Sequence, residues 1–406
     1  MENLSDSYTY KNKLYSKFLS IMPIVGIYSI GIPGINLADF ILMIFIACNG
    51  IVHPLKENKS GKPLLRFIFY IFLIALLNTL LFSYEQITDA AIRTTRISFY
   101  LFTVVFMSKN IDKKVLLKWI IIVGTAASIF IVIQYVFYKM SGISISGHIP
   151  GLKLYTENYM SADYKDRVSE QAVMRFPSFF LEPAHFSRYA ALSLIITLFC
   201  YKGKNKVAVS LMQSLGIVIS GSGNGYMVLV IVWGMFLYNH FRKGKITAWQ
   251  LVYSSFIVIG VVVFLQKNTM VTYVYHRIFD GIQTGESGAV KARTENFSEL
   301  MNTMPYLILF GHGFGTVPKL NAWMSDLLYC IWGTGIIGVS ILLSFFHRVY
   351  KSSGEMVVKT LIFVLMALMV TDDGFNNIMV VLTYSALLIL AEKEVVYEEK
   401  YPVYKR

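Results

Sequence analysis

One motif places an arginine, a glutamate, a histidine and a second arginine between a long polar loop and a strongly apolar stretch. It reads Arg175-Phe-Pro-Ser-Phe-Phe-Leu-Glu182-Pro-Ala-His185-Phe-Ser-Arg188. Guanidinium groups bind phosphate oxygens through paired hydrogen bonds, and an ionised carboxylate can accept the proton of a sugar hydroxyl. Charged groups at the edge of a bilayer are costly and usually functional. The motif therefore predicts a site for an anionic, lipid-linked or sugar-bearing substrate.

The ionisable residues of this motif have structural as well as chemical interpretations. Pro183 favours the first turn of a helix, so Glu182 at its N-cap either stabilises that helix or acts as a general base. His185 and Arg188 share one helix face, although a lone histidine there is more often an ordinary interfacial residue. Arg188 lies about one turn inside the apolar stretch, where an unpaired charge is costly, so we expect it to have a partner.

Composition defines the class of protein that must position these residues. Hydrophobic residues make up 55% of the 406 and charged residues only 15%, against about 25% charged in soluble domains. The apolar residues form blocks of about 17–25, the length of a membrane-spanning helix. We predict one all-α polytopic domain, 1–406, with twelve transmembrane helices. The predicted spans are 17–33, 36–52, 64–82, 88–108, 115–138, 184–201, 206–221, 224–240, 246–266, 325–346, 356–372 and 375–391.

Lysine and arginine are distributed unevenly between the loops, which predicts an orientation. The short loops on the opposite side contain neither residue, so both termini and the basic clusters are expected in the cytoplasm. The net charge of +13 follows this pattern and does not indicate nucleic-acid binding. Two loops, 139–183 and 267–324, are then predicted on the outer side and are too long to be mere connections. The basic clusters lie at 11–17, 56–66, 109–118, 202–206, 242–245, 348–359 and in the tail.

The two long loops bring further cations to the outer side. Arg175 on the first loop and Arg277 and Arg293 on the second suit a diphosphate head group at the membrane surface. The second loop also carries His276 and, in a glycine-rich run, His312. A single loop arginine is usually only solvated, and the convergence of several is what favours an anion site.

Two arginines lie inside the fourth predicted span. Arg93 and Arg96 are three residues apart on one face, so they either snorkel to the interface or face a cavity. Asp372 and Asp373, at the outer end of the eleventh span, are either their partners or simple loop acids. The run Gly221-Ser-Gly-Asn-Gly225 predicts a tight outer turn, with a backbone anion nest as the alternative.

Several kinds of chemistry find no support in the sequence. It contains no P-loop lysine motif, no cluster with zinc-ligand spacing and no paired aspartates for a metal–nucleotide-sugar complex. We therefore predict no metal and no cofactor. An activated sugar donor would have to come from elsewhere, most simply from a lipid carrier in the membrane.

The motif Arg-(x)4-Phe-Leu-Glu-Pro-(x)2-Phe-(x)3-Ala, from Arg175 to Ala190, resembles that of the Wzy-type O-antigen and exopolysaccharide polymerases. The run Arg293-(x)16-Phe-Gly-His-Gly-Phe-Gly315, followed by Gly333-Thr-Gly-Ile-Ile-Gly338, resembles the second-loop signature of the same family. Ser220-Gly-Ser-Gly-Asn-Gly225 resembles its Ser-Arg-Thr-Gly turn but lacks the arginine. The resemblance covers roughly residues 170–345 and the layout of the spans.

This resemblance implies a metal-independent glycosyltransferase in the bacterial plasma membrane. It would join undecaprenyl-diphosphate-linked repeat units into O-antigen, capsule or exopolysaccharide at the outer face. Arg175, Arg277 and Arg293 would stabilise the leaving diphosphate, and Glu182 or His312 would activate the acceptor hydroxyl. Membrane lipid, a chain-length regulator and a flippase are the further partners that it implies.

Two other functions remain open. A ligase of the same superfamily would move the glycan to a lipid-A core and would rely on an outer-loop histidine, here His276 or His312. A lipid-linked-sugar flippase or secondary transporter would instead contain interrupted helices and ionisable groups near the membrane midplane. The clustering of charges at the outer edges favours the enzyme.

Overall fold

The computed structural model is helical throughout the residues that it describes, which confirms the all-α part of the predicted fold class. It describes residues 2–32, 34–52, 56–81, 87–155, 175–244, 307–314, 325–372 and 377–392. These ranges contain no β-strand, only two isolated β-bridges. The eleven longer helices are α1 Glu2–Val25, α2 Leu37–Val52, α3 Lys62–Leu81, α4 Ile87–Met107, α5 Lys113–Ser141, α6 Pro183–Phe199, α7 Lys206–Ile219, α8 Gly223–Arg242, α9 Asp326–Ser352, α10 Met356–Thr371 and α11 Met379–Ala391.

Several of these helices have the length and composition of membrane spans. Four stretches are long and apolar enough to cross a bilayer, namely Lys59–Leu80, Ala90–Asn110, Lys113–Ser141 and Asp326–Ser352. Four shorter apolar helices accompany them. Ten of the twelve predicted spans agree with a described helix to within six residues at each end. The predicted span 246–266 lies outside the described residues.

The first predicted span, 17–33, extends beyond the end of its helix. Helix α1 begins at Glu2 and ends at Val25, and the chain then runs irregularly to the start of α2. Gly31 and Gly34 adopt left-handed backbone angles, with φ of 83° and 79°, which no continuing helix allows. Hydropathy counts the isoleucines after Val25 as part of a span, whereas the backbone there forms hydrogen bonds with the first long loop, from the Tyr155 N–H to Ile27 and from the Ser29 N–H to Lys153.

The connections between helices define two ends of the bundle. At the site end, where α6 begins, the Asp326 N–H donates to the Asp372 carbonyl (2.7 Å), so the start of α9 meets the end of α10. At the other end, the Asn58 amide donates to Glu392 (2.9 Å) and to Ser108 (3.2 Å), which joins the α2–α3 and α4–α5 connections to the end of α11. We name it the basic end, because the basic clusters in the described loops lie there.

Helix α5 extends well beyond the start of α6. The Ser178 hydroxyl, five residues before α6, donates to the carbonyl of Ala127 in α5 (2.8 Å). Ala127 lies 14 residues before the last residue of α5, Ser141, so the tip of α5 is about 21 Å further out. The motif therefore lies recessed along the shaft of α5.

Candidate functional site

Phenylalanines of the motif attach it to α5 and α6. Phe176 packs against the rings of Tyr135 and Tyr138, with centroids 5.9 and 5.8 Å away, and Phe179 stacks on Phe130 at 4.5 Å. Phe180 contacts two rings of α6. Such aromatic pairs bury a large apolar area and restrict the orientation of the segment that carries them. The polar residues that flank the phenylalanines are therefore carried on a well-packed segment.

Glu182 occupies the N-cap of α6, with Pro183 as the first helical residue, as the sequence predicts. Its backbone is extended (φ −136°, ψ 155°), and its carbonyl accepts the first helical hydrogen bond from the Phe186 N–H (3.1 Å). The Glu182 carboxylate, however, makes no capping hydrogen bond. Only the backbone of Glu182 therefore caps the helix, and its half-buried carboxylate takes no part in capping.

Arg188 has the partner that its depth predicts. Its guanidinium forms an ion pair with the Asp372 carboxylate, and both side chains are more than nine-tenths buried. This corrects the alternative that pairs Asp372 with Arg93 and Arg96. The end of α10 packs against α6, so Asp372 reaches Arg188 instead. Asp373 lies outside the described residues.

A small cavity lies beside this ion pair. Its volume is about 30 Å³, and its polar lining comes from Arg188, Asp326, Thr383 and Tyr384. About two water molecules fit such a volume, since one needs roughly 10–15 Å³. His185, half-buried one turn before Arg188, is close enough to Glu182, Arg188 and Asp372 for their charges to interact. A buried ion pair and a cavity large enough for water therefore lie side by side at the start of α6.

A second arginine is held at the same end of the bundle. Arg96 forms an ion pair with Asp39 (3.5 Å) and donates to the hydroxyls of Tyr100 (2.7 Å) and Tyr155 (3.1 Å). Its guanidinium also lies against both tyrosine rings, 5.5 and 5.1 Å from their centroids. These contacts therefore hold the Arg96 side chain between α2, α4 and the first long loop. Arg93, one turn away, is half-buried.

The sequence analysis missed Asp39, although a local signal exists. Asn36 and Asp39 exchange hydrogen bonds between side chain and backbone N–H at 3.1 and 2.8 Å, which is a capping-box arrangement at the start of α2. The same Asp39 carboxylate accepts from the Tyr100 hydroxyl (2.7 Å). The spacing Asn-x-x-Asp could have located the cap, but not the arginine that the aspartate meets.

The described part of the second long loop packs against the side of α3 and does not lie past the end of that helix. Residues 307–314 begin with one helical turn, and the Phe310 and Gly311 carbonyls accept hydrogen bonds from Tyr70 (3.0 Å) and Asn78 (3.2 Å) of α3. Tyr70 is near the middle of α3, so this segment enters the bundle. The sequence expects an outer loop here.

Helix α9 is interrupted where this segment contacts it. Gly335 has φ 63° and ψ −175°, and the carbonyls of Trp332 and Gly333 accept hydrogen bonds from His312 and Gly313 (2.7 and 2.9 Å). The two glycine-rich runs of the sequence therefore meet. His312 is buried, stacks on the Trp332 ring at 3.6 Å and lies outside the long helices. Burial lowers the pKa of His312 to about 4, which keeps the imidazole neutral.

The glycine-rich turn between α7 and α8 is as tight as predicted. α7 ends at Ile219 and α8 begins at Gly223, with Gly221 in the left-handed region (φ 67°). The Ser220 hydroxyl bonds that of Ser187 (3.1 Å), which ties the turn to α6. The turn thus lies at the site end.

Arg277, Arg293 and His276 lie outside the described residues. In the part of the chain that the structure describes, no group of three or more His, Cys, Asp or Glu side chains could hold a metal ion. No protein-family model matches the chain, and no curated protein matches it either. The roles of the site residues therefore remain predictions based on the motifs and on the geometry described above.

Proposed function

We propose that this protein is a glycosyltransferase that polymerises undecaprenyl-diphosphate-linked repeat units at the outer face of a bacterial plasma membrane. The observation that carries the proposal is the recessed motif at the site end. There, Arg175 and Glu182 flank a rigid aromatic segment, with His185 beside the Arg188–Asp372 pair. A cation and a carboxylate on one packed segment suit a reaction that expels a diphosphate and deprotonates a hydroxyl.

The proposed reaction is a displacement at the anomeric carbon of the growing chain. A sugar hydroxyl of the incoming unit attacks this carbon, the bond to the lipid diphosphate breaks, and Glu182 accepts the hydroxyl proton. Arg175, with Arg277 and Arg293, would stabilise the negative charge that develops on the leaving diphosphate. The charge of Arg188 is already compensated by Asp372, so we assign Arg188 a positioning role.

The proposed orientation places the basic end in the cytoplasm and the site end outside. Exposed lysines in the connections α2–α3, α4–α5 and α6–α7 support it, since positive loops are retained on the cytoplasmic side. Twelve spans with both termini inside complete the proposed topology. The substrate would then reach the site from the outer leaflet, and its polyprenyl tail would remain in lipid.

The test is the surface glycan of a strain that lacks the gene. Loss of the long ladder with one repeat unit retained is expected for a polymerase. Complementation with Glu182→Gln or Arg175→Ala should leave the ladder missing. The matched controls Glu355→Gln and Lys153→Ala, both exposed, should restore it. A normal ladder from both site variants would refute the residue assignments.

The break in α9 favours a second candidate, a flippase or secondary transporter. Interrupted helices beside buried polar groups are typical of transporters, and Gly335 lies next to the inserted residues 307–314. Deletion would then remove every surface repeat, including the single one. A ligase would give the same loss of attached glycan, but free lipid-linked polymer would accumulate at the outer face, which separates the two.

A further inference from the structure

Ser178 has an unusual backbone conformation at the centre of the motif. Among the described residues, it is the only non-glycine with a positive φ, 58°. It follows Arg175 by three residues and precedes Glu182 by four. A serine adopts this conformation only where its surroundings determine it, and such positions concentrate at functional sites.

The surroundings that hold Ser178 are polar and buried. Its N–H donates to the Gln134 side-chain carbonyl (3.1 Å), and its hydroxyl donates to the Ala127 carbonyl (2.8 Å). The Gln134 amide in turn donates to the Ile145 carbonyl (2.7 Å). Gln134 is only 1% exposed and uses both ends of its amide. One side chain of α5 therefore ties the motif to the segment that leaves α5.

Backbone packing also holds the motif around Ser178 against the segment that follows α5. A Cβ on Gly147 would lie 2.0 Å from the Ser178 carbonyl oxygen, so only glycine allows this approach. His148 Nε2 lies 3.1 Å from the Phe180 carbonyl oxygen, at hydrogen-bond distance. The turn at Ser178 is thus fixed on both sides, midway between the two proposed site residues.

We propose that Gln134 and Ser178 form a clamp that sets the position of Arg175 relative to Glu182. This inference rests on the proposed function, in which these two residues bind the diphosphate and accept the proton. Gln134 and Ser178 touch no substrate and are positioning residues. Proton transfer requires a contact of about 3 Å, and a displacement of about 1 Å can cost 100-fold in rate. A loosened clamp should therefore slow turnover more than it weakens binding.

The test compares two buried glutamines, Gln134 in α5 and Gln213 in α7, which bonds α5 through Thr125. Gln134→Leu breaks the clamp. Gln213→Leu removes an equally buried amide that bonds Thr125 and Ser193 but not the motif. Purified variants in lipid nanodiscs are assayed for coupling of an undecaprenyl-diphosphate-linked oligosaccharide. We expect kcat to fall at least about tenfold in Gln134→Leu with KM within about twofold, and kcat of Gln213→Leu to remain near that of the wild type.

Thermal midpoints separate positioning from folding, because both substitutions should lower the midpoint by a similar few degrees. Equal kcat values in the two variants would overturn the inference. Ser178→Gly and Ser178→Ala provide a second test. Both remove the hydroxyl, but only glycine relieves the backbone strain. We expect both to lose turnover, and retention of wild-type kcat in both would contradict the clamp.

Amide hydrogen exchange provides a readout that does not depend on activity. In Gln134→Leu, exchange of the amides 176–182 should accelerate at least about tenfold, whereas Gln213→Leu should leave it unchanged. If the wild type couples no repeat units, the proposed function fails, while exchange still tests the clamp. If the wild type is active and exchange is the same in both variants, the clamp fails alone.

Discussion

Two arginine–aspartate pairs lie at the site end of the bundle, and they are built differently. The Arg188–Asp372 pair joins α6 to α10, and its side chains are 6% and 4% exposed. In the Arg96–Asp39 pair, which joins α4 to α2, the arginine is 13% exposed and shared with two tyrosines. The first pair is the more deeply buried of the two, whereas the second belongs to a network in which Asp39 also accepts hydrogen bonds from Asn36 and Tyr100.

This difference shows what each pair can tolerate. Removal of one partner from a buried pair leaves a charge without compensation, which is far more costly than loss of an exposed pair. Asp39 has further donors in Asn36 and Tyr100, so it stays solvated without Arg96. Tyr155 lies in the first long loop, so the second pair also anchors that loop to α4. Three of the four predictions that follow test this contrast, and the one on His312 tests the segment packed against α9.

The largest effect is expected for Arg188→Leu. The buried Asp372 carboxylate loses its counter-charge, and the free energy of unfolding should fall by about 3–5 kcal/mol. The double variant Arg188→Leu/Asp372→Leu should recover most of this loss, because no charge then remains unpaired. Thermal midpoints in detergent measure both. A single variant as stable as the wild type would show that the pair contributes nothing.

Arg96→Leu should cost less, about 2 kcal/mol, because water and the other donors can solvate Asp39. Hydrogen exchange should accelerate in residues 149–155, since Tyr155 loses its partner. The exposed Arg66 of α3 supplies the control Arg66→Leu, with no expected change. The contrast between the two pairs is wrong if Arg96→Leu destabilises the protein as much as Arg188→Leu does.

His312 should make stability depend on pH. Its pKa is about 4 in the folded protein, below the ordinary 6.5, so the unfolded chain binds a proton first as pH falls. Stability should therefore decline between pH 6.5 and 4, by on the order of 1 kcal/mol at pH 5 after solvent screening. His312→Gln should flatten this part of the midpoint-versus-pH curve. An unchanged slope would mean that other groups control it.

The smallest effect is expected for Tyr155→Phe. The substitution removes the hydroxyl that accepts from Arg96 but keeps the ring 5.1 Å from the guanidinium. A loss of about 0.5 kcal/mol is expected, the lower end for one hydrogen bond. Thermal midpoints compared with Arg96→Leu measure it. A loss equal to that of Arg96→Leu would mean that this one hydroxyl accounts for all of the stability that Arg96 contributes.

Local features of the chain were predictable because they depend on neighbouring residues. The apolar blocks located ten helices, and Pro183 located the start of α6 with Glu182 at its N-cap. The depth of Arg188 predicted that it has a partner. The end of α1 was missed because hydropathy cannot detect the backbone hydrogen bonds that Ile27 and Ser29 form with residues 153–155.

The sequence by itself determined the class of protein, the helical segments and the need to neutralise a buried arginine. All of these follow from composition, spacing and the cost of charge in an apolar medium. Only the tertiary structure decided that Asp372 meets Arg188, that Gly335 interrupts α9 beside His312, and that Gln134 holds Ser178. These contacts join residues from 20 to 184 positions apart, and only the packing of helices brings such residues together.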